Sequence, residues 1–218
     1  LRDFQQSLSH APADFADWNI AGEYPSLVEI MENAKPGILI GVSGVPGLFT
    51  EQAIKTMHKH DPQPIVFPLS NPIKQIEARP EQVIEWTNGE AIVATGSPFE
   101  PIKFNGETFE IAQCNNAYIF PGIGLGVVAV GAKIISDEMI MASSETLAAN
   151  SPLVNHGEGA LLPDLVDLPN LSRKIAFNVA KVAIEQGHAL TITDEELNKR
   201  IERNYWTPEY RPYKRISA

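Results

Sequence analysis

The sequence predicts an α/β fold: a partial doubly wound parallel sheet with flanking helices and a helical C-terminal extension. Two observations carry this reading. Short apolar runs at residues 38–42, 65–69 and 91–95 alternate with stretches of helical spacing. Alternation of that kind, with short connections, gives parallel strands joined by crossovers. After the third run and a short hairpin the pattern becomes helical almost to the end. Three parallel strands amount to half of a doubly wound nucleotide-binding domain.

The first helix is expected over residues 26–34, with Leu27, Ile30 and Met31 on one side and Pro36 and Gly37 ending it. Residues 38–42 form a continuous apolar run, which suits a parallel strand buried on both faces. Thr50 can cap the next helix through His60, with Glu51 favourable in its first turn. A second strand follows at residues 65–69. Pro80 suits a helix start, and Val83, Ile84 and Trp86 supply that helix with apolar residues. Residues 91–95 read as the third strand, and residues 103–111, around Asn105-Gly106, as a hairpin. Ser136 can cap a helix to Ala149, Leu171, Ile175, Val179 and Val182 make a buried stripe, and Thr193 with Glu196 makes a capping box for a helix to Asn204.

At 218 residues, with 44 % hydrophobic and 20 % charged residues, the chain has ordinary globular composition. A formal charge of −10 argues against a nucleic-acid partner, because phosphate binding needs a concentrated basic surface. The one short basic cluster, at residues 211–215, reads as a solvated or subunit-contacting tail. A single cysteine excludes an internal disulfide and points to a reducing compartment. No apolar run is long enough to span a bilayer, because Pro121 and four glycines interrupt the best candidate. Leu1 is not an initiator methionine and residues 1–14 lack a signal pattern, so a chain cut from a longer one is expected.

Two motifs fall at strand ends, where open parallel sheets bind ligands, and a third lies between the hairpin and an apolar helix. Gly41-Val42-Ser43-Gly44-Val45-Pro46-Gly47 follows the first strand, and glycine there lets backbone approach a ligand. It is neither a Gly-x-Gly-x-x-Gly fingerprint nor a nucleophile elbow, so Ser43 is not read as a nucleophile. Alone it reads equally well as a plain turn. Leu69-Ser70-Asn71-Pro72 closes the second strand, and the proline biases Asn71 toward an extended backbone that presents its amide at the strand mouth. Turn chemistry is the alternative there. The third motif, Gln113-Cys114-Asn115-Asn116, sets two amides before an apolar helix. A helix cap satisfies one of them but not obviously both. Gly124-x-Gly126-x-x-Ala129 mimics a dinucleotide fingerprint, but Pro121 interrupts its supposed strand, and close helix packing explains its glycines better. Cys114 is expected to be a small buried residue. The histidines have no grouped carboxylate or cysteine companions, and His58 and His60 are expected to be exposed at a helix end.

Taken in order, these segments resemble malic enzymes. Ile38-Leu39-Ile40-Gly41-Val42-Ser43-Gly44, Gly47-Leu48-Phe49-Thr50-Glu51, Pro68-Leu69-Ser70-Asn71-Pro72 and Ala94-Thr95-Gly96-Ser97-Pro98-Phe99 come first. Asn115-Asn116-Ala117-Tyr118-Ile119-Phe120-Pro121-Gly122 and Ile135-Ser136-Asp137-Glu138-Met139 follow, and Tyr205-Trp206 opens what looks like the family's C-terminal extension. The resemblance implies a Rossmann-like domain. It divides the chain into residues 1–190, the C-terminal part of a NAD-binding domain, and residues 191–218, a helical extension.

The resemblance also implies oxidative decarboxylation of malate to pyruvate with NAD, rather than NADP, and Mg²⁺ or Mn²⁺ in the intact enzyme. Val42, Ser43 and Gly44 would line the dinucleotide, Asn71 its nicotinamide end and the substrate, and Asn115 and Asn116 the malate carboxylate or hydroxyl. The family's tyrosine acid, lysine base, metal carboxylates and phosphate-binding fingerprint lie upstream of the matching segments. No catalytic residue and no metal ligand is therefore expected here, and the isolated chain is expected to be inactive. A cytoplasmic homo-oligomer, completed by a missing N-terminal part, is the implied whole. A stand-alone, non-catalytic nucleotide-binding or interaction module is the competing expectation.

Overall fold

The computed structural model describes residues 3–7, 9–157 and 159–210. The basic cluster at 211–215 lies outside them. The chain forms two compact units, Leu1–Cys114 and Asn115–Ala218.

The first unit begins with a short helix α1 (Asp3–Gln6) and then α2 (Leu27–Ala34). Ser26 caps α2: its hydroxyl accepts from the Glu29 N–H at 3.3 Å, and the Glu29 carboxylate accepts from the Ser26 N–H at 2.7 Å. Lys35, at φ 49°, ends the helix in the left-handed region. The strands β1 (Ile38–Gly41), β2 (Ile65–Pro68), β3 (Ile92–Thr95) and β6 (Ala112–Gln113) form a parallel sheet in the order β1-β2-β3-β6. Helices α3 (Glu51–His60) and α4 (Pro80–Trp86) connect the first three strands, and the antiparallel hairpin β4 (Ile102–Phe104) and β5 (Glu107–Phe109) lies between β3 and β6. Asn105 and Gly106, at φ 49° and 87°, turn that hairpin as the Asn-Gly pair requires. The core gathers Met31, Ala53, Ile54, Met57, Val66, Val83, Ile84 and Val93. Register places Leu39 beside Val66 and Val66 beside Val93, so one sheet face meets the helices.

Three expectations change in the strands and helices of this unit. The sheet has a fourth parallel strand, β6, which the sequence pattern misses because two residues are too few to show a period. And β1 is not buried on both faces. It is an edge strand in this sheet, with Ile38 and Ile40 each 56 % exposed. An apolar run cannot by itself distinguish a strand that is covered from one that awaits cover. His58 also departs from expectation: it is half-buried and its Nε2 lies 2.5 Å from Glu90 Oε2, whereas His60 is exposed.

The second unit is helical: α5 (Phe120–Val130), α6 (Asp137–Ala148), α7 (Pro152–His156), α8 (Leu168–Glu185) and α9 (Asp194–Asn204). Leu171, Ile175 and Val179 are buried along α8, with Val182 half-buried, and Leu197 and Ile201 of α9 join the same core. Helices α5 and α8 approach closely where glycine removes the side chain. A Cβ at Gly126 would stand 2.6 Å from the Ala176 carbonyl oxygen, and one at Gly122 2.6 Å from Ile175 Cβ. Gly126 of the mimicked fingerprint thus serves packing as expected, and Gly122 does too, whereas a Cβ at Gly124 would meet nothing within 4 Å. The Thr193 hydroxyl caps α9 by accepting from the Glu196 N–H at 3.2 Å, but the expected reciprocal bond is replaced. The Glu196 carboxylate instead accepts from Arg200 Nε at 2.8 Å, one helical turn on. Arg173 lies 3.7 Å from the ring centre of Tyr205, while Trp206 is exposed. Among the described residues no helix is long and apolar enough to cross a membrane.

Candidate functional site

The carboxyl end of β1 runs into the Gly41–Gly47 loop, and the carboxyl end of β2 into Leu69-Ser70-Asn71. These two strands are neighbours, with Gly41 registered against Pro68, so the loops leave the sheet side by side. The Leu69 N–H still donates to the Gly41 carbonyl at 2.8 Å, which carries the parallel pairing to the mouth.

Glu77 holds the two loops together. It is fully buried, and its Oε1 accepts from the Ser43 N–H at 2.8 Å, the Ser43 hydroxyl at 2.8 Å and the Ser70 hydroxyl at 2.5 Å. Its Oε2 accepts from the Ser70 N–H at 3.3 Å. The hydroxyls pass the order outward, since Ser70 Oγ accepts from the Gly44 N–H at 2.9 Å and Ser43 Oγ from the Val45 N–H at 3.1 Å. Backbone bonds close the far side, from the Gly47 N–H to the Ile76 carbonyl at 3.2 Å and from the Phe49 N–H to the Glu77 carbonyl at 3.1 Å. Glycine is required at position 41, where a Cβ would stand 2.6 Å from Glu77 Cδ and 2.7 Å from Phe49 Cζ.

Burial pushes the Glu77 carboxyl toward a higher pKa, but the hydrogen bonds from Ser70 and Ser43 outweigh it and hold the group below the usual carboxylate value. A depressed pKa in the folded state means the contribution to loop order is complete above the ordinary carboxylate range. It is lost as pH falls through the depressed value.

The loop surface beyond this latch is open. Val42 is 79 % exposed, and a Cβ at Gly44 or Gly47 would meet nothing within 4 Å. Positive φ at both, 67° and 70°, explains the glycines in a second way. Asn71 is exposed beside this loop and is held from β3: Ser97 Oγ donates to Asn71 Oδ1, and Gly96 leaves room for the amide. Thr95 Oγ1 donates to the Ser97 carbonyl at 2.8 Å and Gln113 Nε2 to the Gly96 carbonyl at 3.3 Å, which fixes that turn. Val42, Ser43, Gly44 and Asn71 are thus brought together on one edge of the sheet. Glu77, Ser70, Gly96 and Ser97 complete the arrangement. None of these four was assigned a role from sequence, although Ser70, Gly96 and Ser97 lie inside the quoted motifs.

Asn115 and Asn116 open the second unit and are both exposed. Asn115 is a cap, with its Oδ1 accepting from the Ala117 N–H at 2.9 Å at the start of the 3₁₀ turn Asn116–Tyr118. The Asn116 side chain meets no hydrogen-bond partner among the described residues. The cap therefore accounts for one amide and leaves the other without a structural task. Cys114 is exposed rather than buried, because it follows β6 at the sheet end with its N–H donated to the Thr95 carbonyl at 2.8 Å. Partial desolvation of its sulfur raises the thiol pKa, which lowers the thiolate fraction a nucleophile needs. Among the described residues no group of three or more His, Cys, Asp or Glu side chains is placed to hold a metal ion.

Comparison with known proteins places this arrangement in context. The chain is 62 % identical, over 217 residues, to the NAD-dependent malic enzyme of Shewanella woodyi, and 59 % identical to that of Colwellia psychrerythraea. Each alignment covers 100 % of this chain and 39 % of the relative, so the chain spans about two fifths of their length. Among solved structures, the malic enzyme of Entamoeba histolytica superposes with a TM-score of 0.66 at 29 % identity, over 84 % of this chain and 34 % of that one. The malic enzyme of Pyrococcus horikoshii gives a TM-score of 0.63 at 28 % identity, over 82 % and 36 %. The family described as "Malic enzyme, NAD binding domain" matches residues 1–184. With its parallel sheet, its open glycine loop at the sheet edge and a match over most of its length, the chain belongs to the malic enzyme NAD-binding domain family.

Proposed function

We propose that this chain is the cofactor- and substrate-binding portion of an NAD-dependent malic enzyme, which oxidatively decarboxylates malate to pyruvate and CO₂. The observation that carries the reading is the open mouth of β1 and β2, where Val42, Ser43 and Gly44 stand beside Asn71 on a latched loop. Space left by Gly44 and Gly47 fits a planar ligand laid against backbone, and a neutral amide suits the nicotinamide end of a dinucleotide. In this reading Val42, Ser43 and Gly44 cradle NAD, Asn71 orients its nicotinamide and the substrate, and Asn115 and Asn116 hold the malate carboxylate or hydroxyl. NAD, when bound, supplies the acceptor for the hydride that leaves malate.

The rest of the chemistry belongs elsewhere in the enzyme. Oxidising the hydroxyl needs a base and protonating the product needs an acid, and we assign neither to this chain. The described residues do not fit the divalent cation either, and we derive no step through it. The bare side of β1 supports a larger sheet. Parallel strands are ordinarily covered on both faces, so the exposure of Ile38 and Ile40 on an edge strand fits a sheet continued by the remaining length of the enzyme. We place residues 1–190 in the NAD-binding domain and 191–218 in the extension, and the intact enzyme in the cytoplasm as a homo-oligomer.

The assay that tests this is malate-dependent reduction of NAD with Mg²⁺ or Mn²⁺ present. The complete enzyme is expected to turn over, and this chain alone is expected to show no rate above background. Inactivity of the complete enzyme contradicts the activity proposed. Turnover that co-purifies with the chain alone contradicts the placement of the acid and base outside it.

A further inference from the structure

We infer that Glu77 is a positioning residue for the cofactor loop: its carboxylate turns the backbone N–H groups of residues 43–45 inward and leaves the carbonyls of residues 42–44 to accept from a ligand. The inference rests on the reading that this loop binds NAD.

A fully buried carboxylate is costly unless every lone pair finds a donor. Here the donors are two serine hydroxyls and two backbone N–H groups, with no cation among them. A side chain needed only to fill space does not require charge. What the charge does is fix direction, because an ionised carboxylate only accepts, so both serine hydroxyls must donate toward it. Each hydroxyl then has its lone pairs free to accept, and they accept from Gly44 and Val45. Three consecutive N–H groups, at residues 43, 44 and 45, are thereby spent inside the protein.

No donor among the described residues meets the carbonyls of Val42, Ser43 or Gly44. The loop therefore offers acceptors, which suit the hydroxyl and carboxamide donors of the nicotinamide riboside portion of NAD and not the pyrophosphate of the dinucleotide. The depressed carboxyl pKa agrees, since the group stays ionised at neutral pH.

The test is steady-state kinetics of the complete enzyme carrying Glu77→Gln, with Ser70→Ala as a second variant. Glutamine keeps the shape, retains one accepting oxygen and turns an NH₂ toward the Ser70 N–H. The expected result is a KM for NAD raised about tenfold in Glu77→Gln, which sets an NH₂ against the buried Ser70 N–H, and about threefold in Ser70→Ala, which takes the acceptor from the Gly44 N–H. The KM for malate is expected to rise less than that for NAD, because, of the proposed malate contacts, only Asn71 lies beside this loop. A merely structural role moves both KM values together with the melting temperature, and that result, or an unchanged KM for NAD, overturns the inference.

A titration with nicotinamide riboside and, separately, inorganic pyrophosphate supplies the second arm, read as amide shifts of residues 42–45 in this chain. Shifts with the riboside alone support the acceptor surface. Shifts with pyrophosphate alone overturn it while leaving cofactor binding at the loop intact, and no shift with NAD itself overturns the cofactor reading.

Discussion

Asn116→Ala in the complete enzyme is expected to lower kcat/KM for malate by up to about a hundredfold while leaving thermal stability unchanged. Losing a buried donor to the substrate costs about 1–3 kcal/mol, and about 1.4 kcal/mol corresponds to each factor of ten. The stability half follows from the structure, since the Asn116 side chain makes no hydrogen bond among the described residues that its removal would leave unsatisfied. Asn115→Ala is expected to lose activity similarly and also to lose a cap. Removing such a cap costs about 1 kcal/mol, read as a lowered melting temperature. Cys114→Ser, one residue earlier, should change neither quantity. Kinetics and thermal melts on the three variants separate the roles. An unchanged kcat/KM in Asn116→Ala contradicts the substrate assignment.

Gly96→Ala is expected to be the most damaging single methyl in the first unit. The added Cβ would stand 2.1 Å from the Leu69 carbonyl oxygen, 2.9 Å from its carbonyl carbon and 2.8 Å from Asn71 Nδ2. The first two contacts are backbone at the mouth of β2 and cannot yield as a flexible side chain does. Overpacking of this kind costs about 1–3 kcal/mol and occasionally more. At about 2–4 °C per kcal/mol, a fall of about 10 °C is expected. The KM for NAD should rise as well, because Asn71 is displaced from Ser97. Gly106→Ala is the comparison, with open space around its Cβ and strain only from φ 87°. A smaller loss at Gly96 than at Gly106 contradicts the packing described.

Much of this architecture is legible in residue order because periodicity and caps are local. The apolar runs of β1, β2 and β3, the Asn105-Gly106 hairpin and the caps at Thr50, Ser136 and Thr193 all act within a few residues. What stays hidden depends on contacts distant in sequence. Glu77 lies 34 residues from Ser43, and before folding nothing distinguishes its carboxylate from a solvated one. The exposure of Ile38 and Ile40 depends on what lies beside β1, which an apolar run does not encode. The same holds for Cys114, whose exposure follows from its place at the end of a two-residue strand. The strand-mouth residues Val42, Ser43, Gly44 and Asn71 were locatable because parallel sheets bind ligands at one edge. The groups that hold them were not.

The central claim is that the latched loop and Asn71 receive the nicotinamide cofactor. It is tested most directly by titrating this 218-residue chain with NAD and following backbone and side-chain amide shifts. We predict shifts concentrated at Val42, Ser43, Gly44 and Asn71, saturating only at millimolar NAD. Affinity is weak in this account because the N–H groups of residues 43–45 are spent inside the protein and are not offered to a pyrophosphate. Shifts that spare these four residues, or saturation near micromolar NAD at another place, would contradict it.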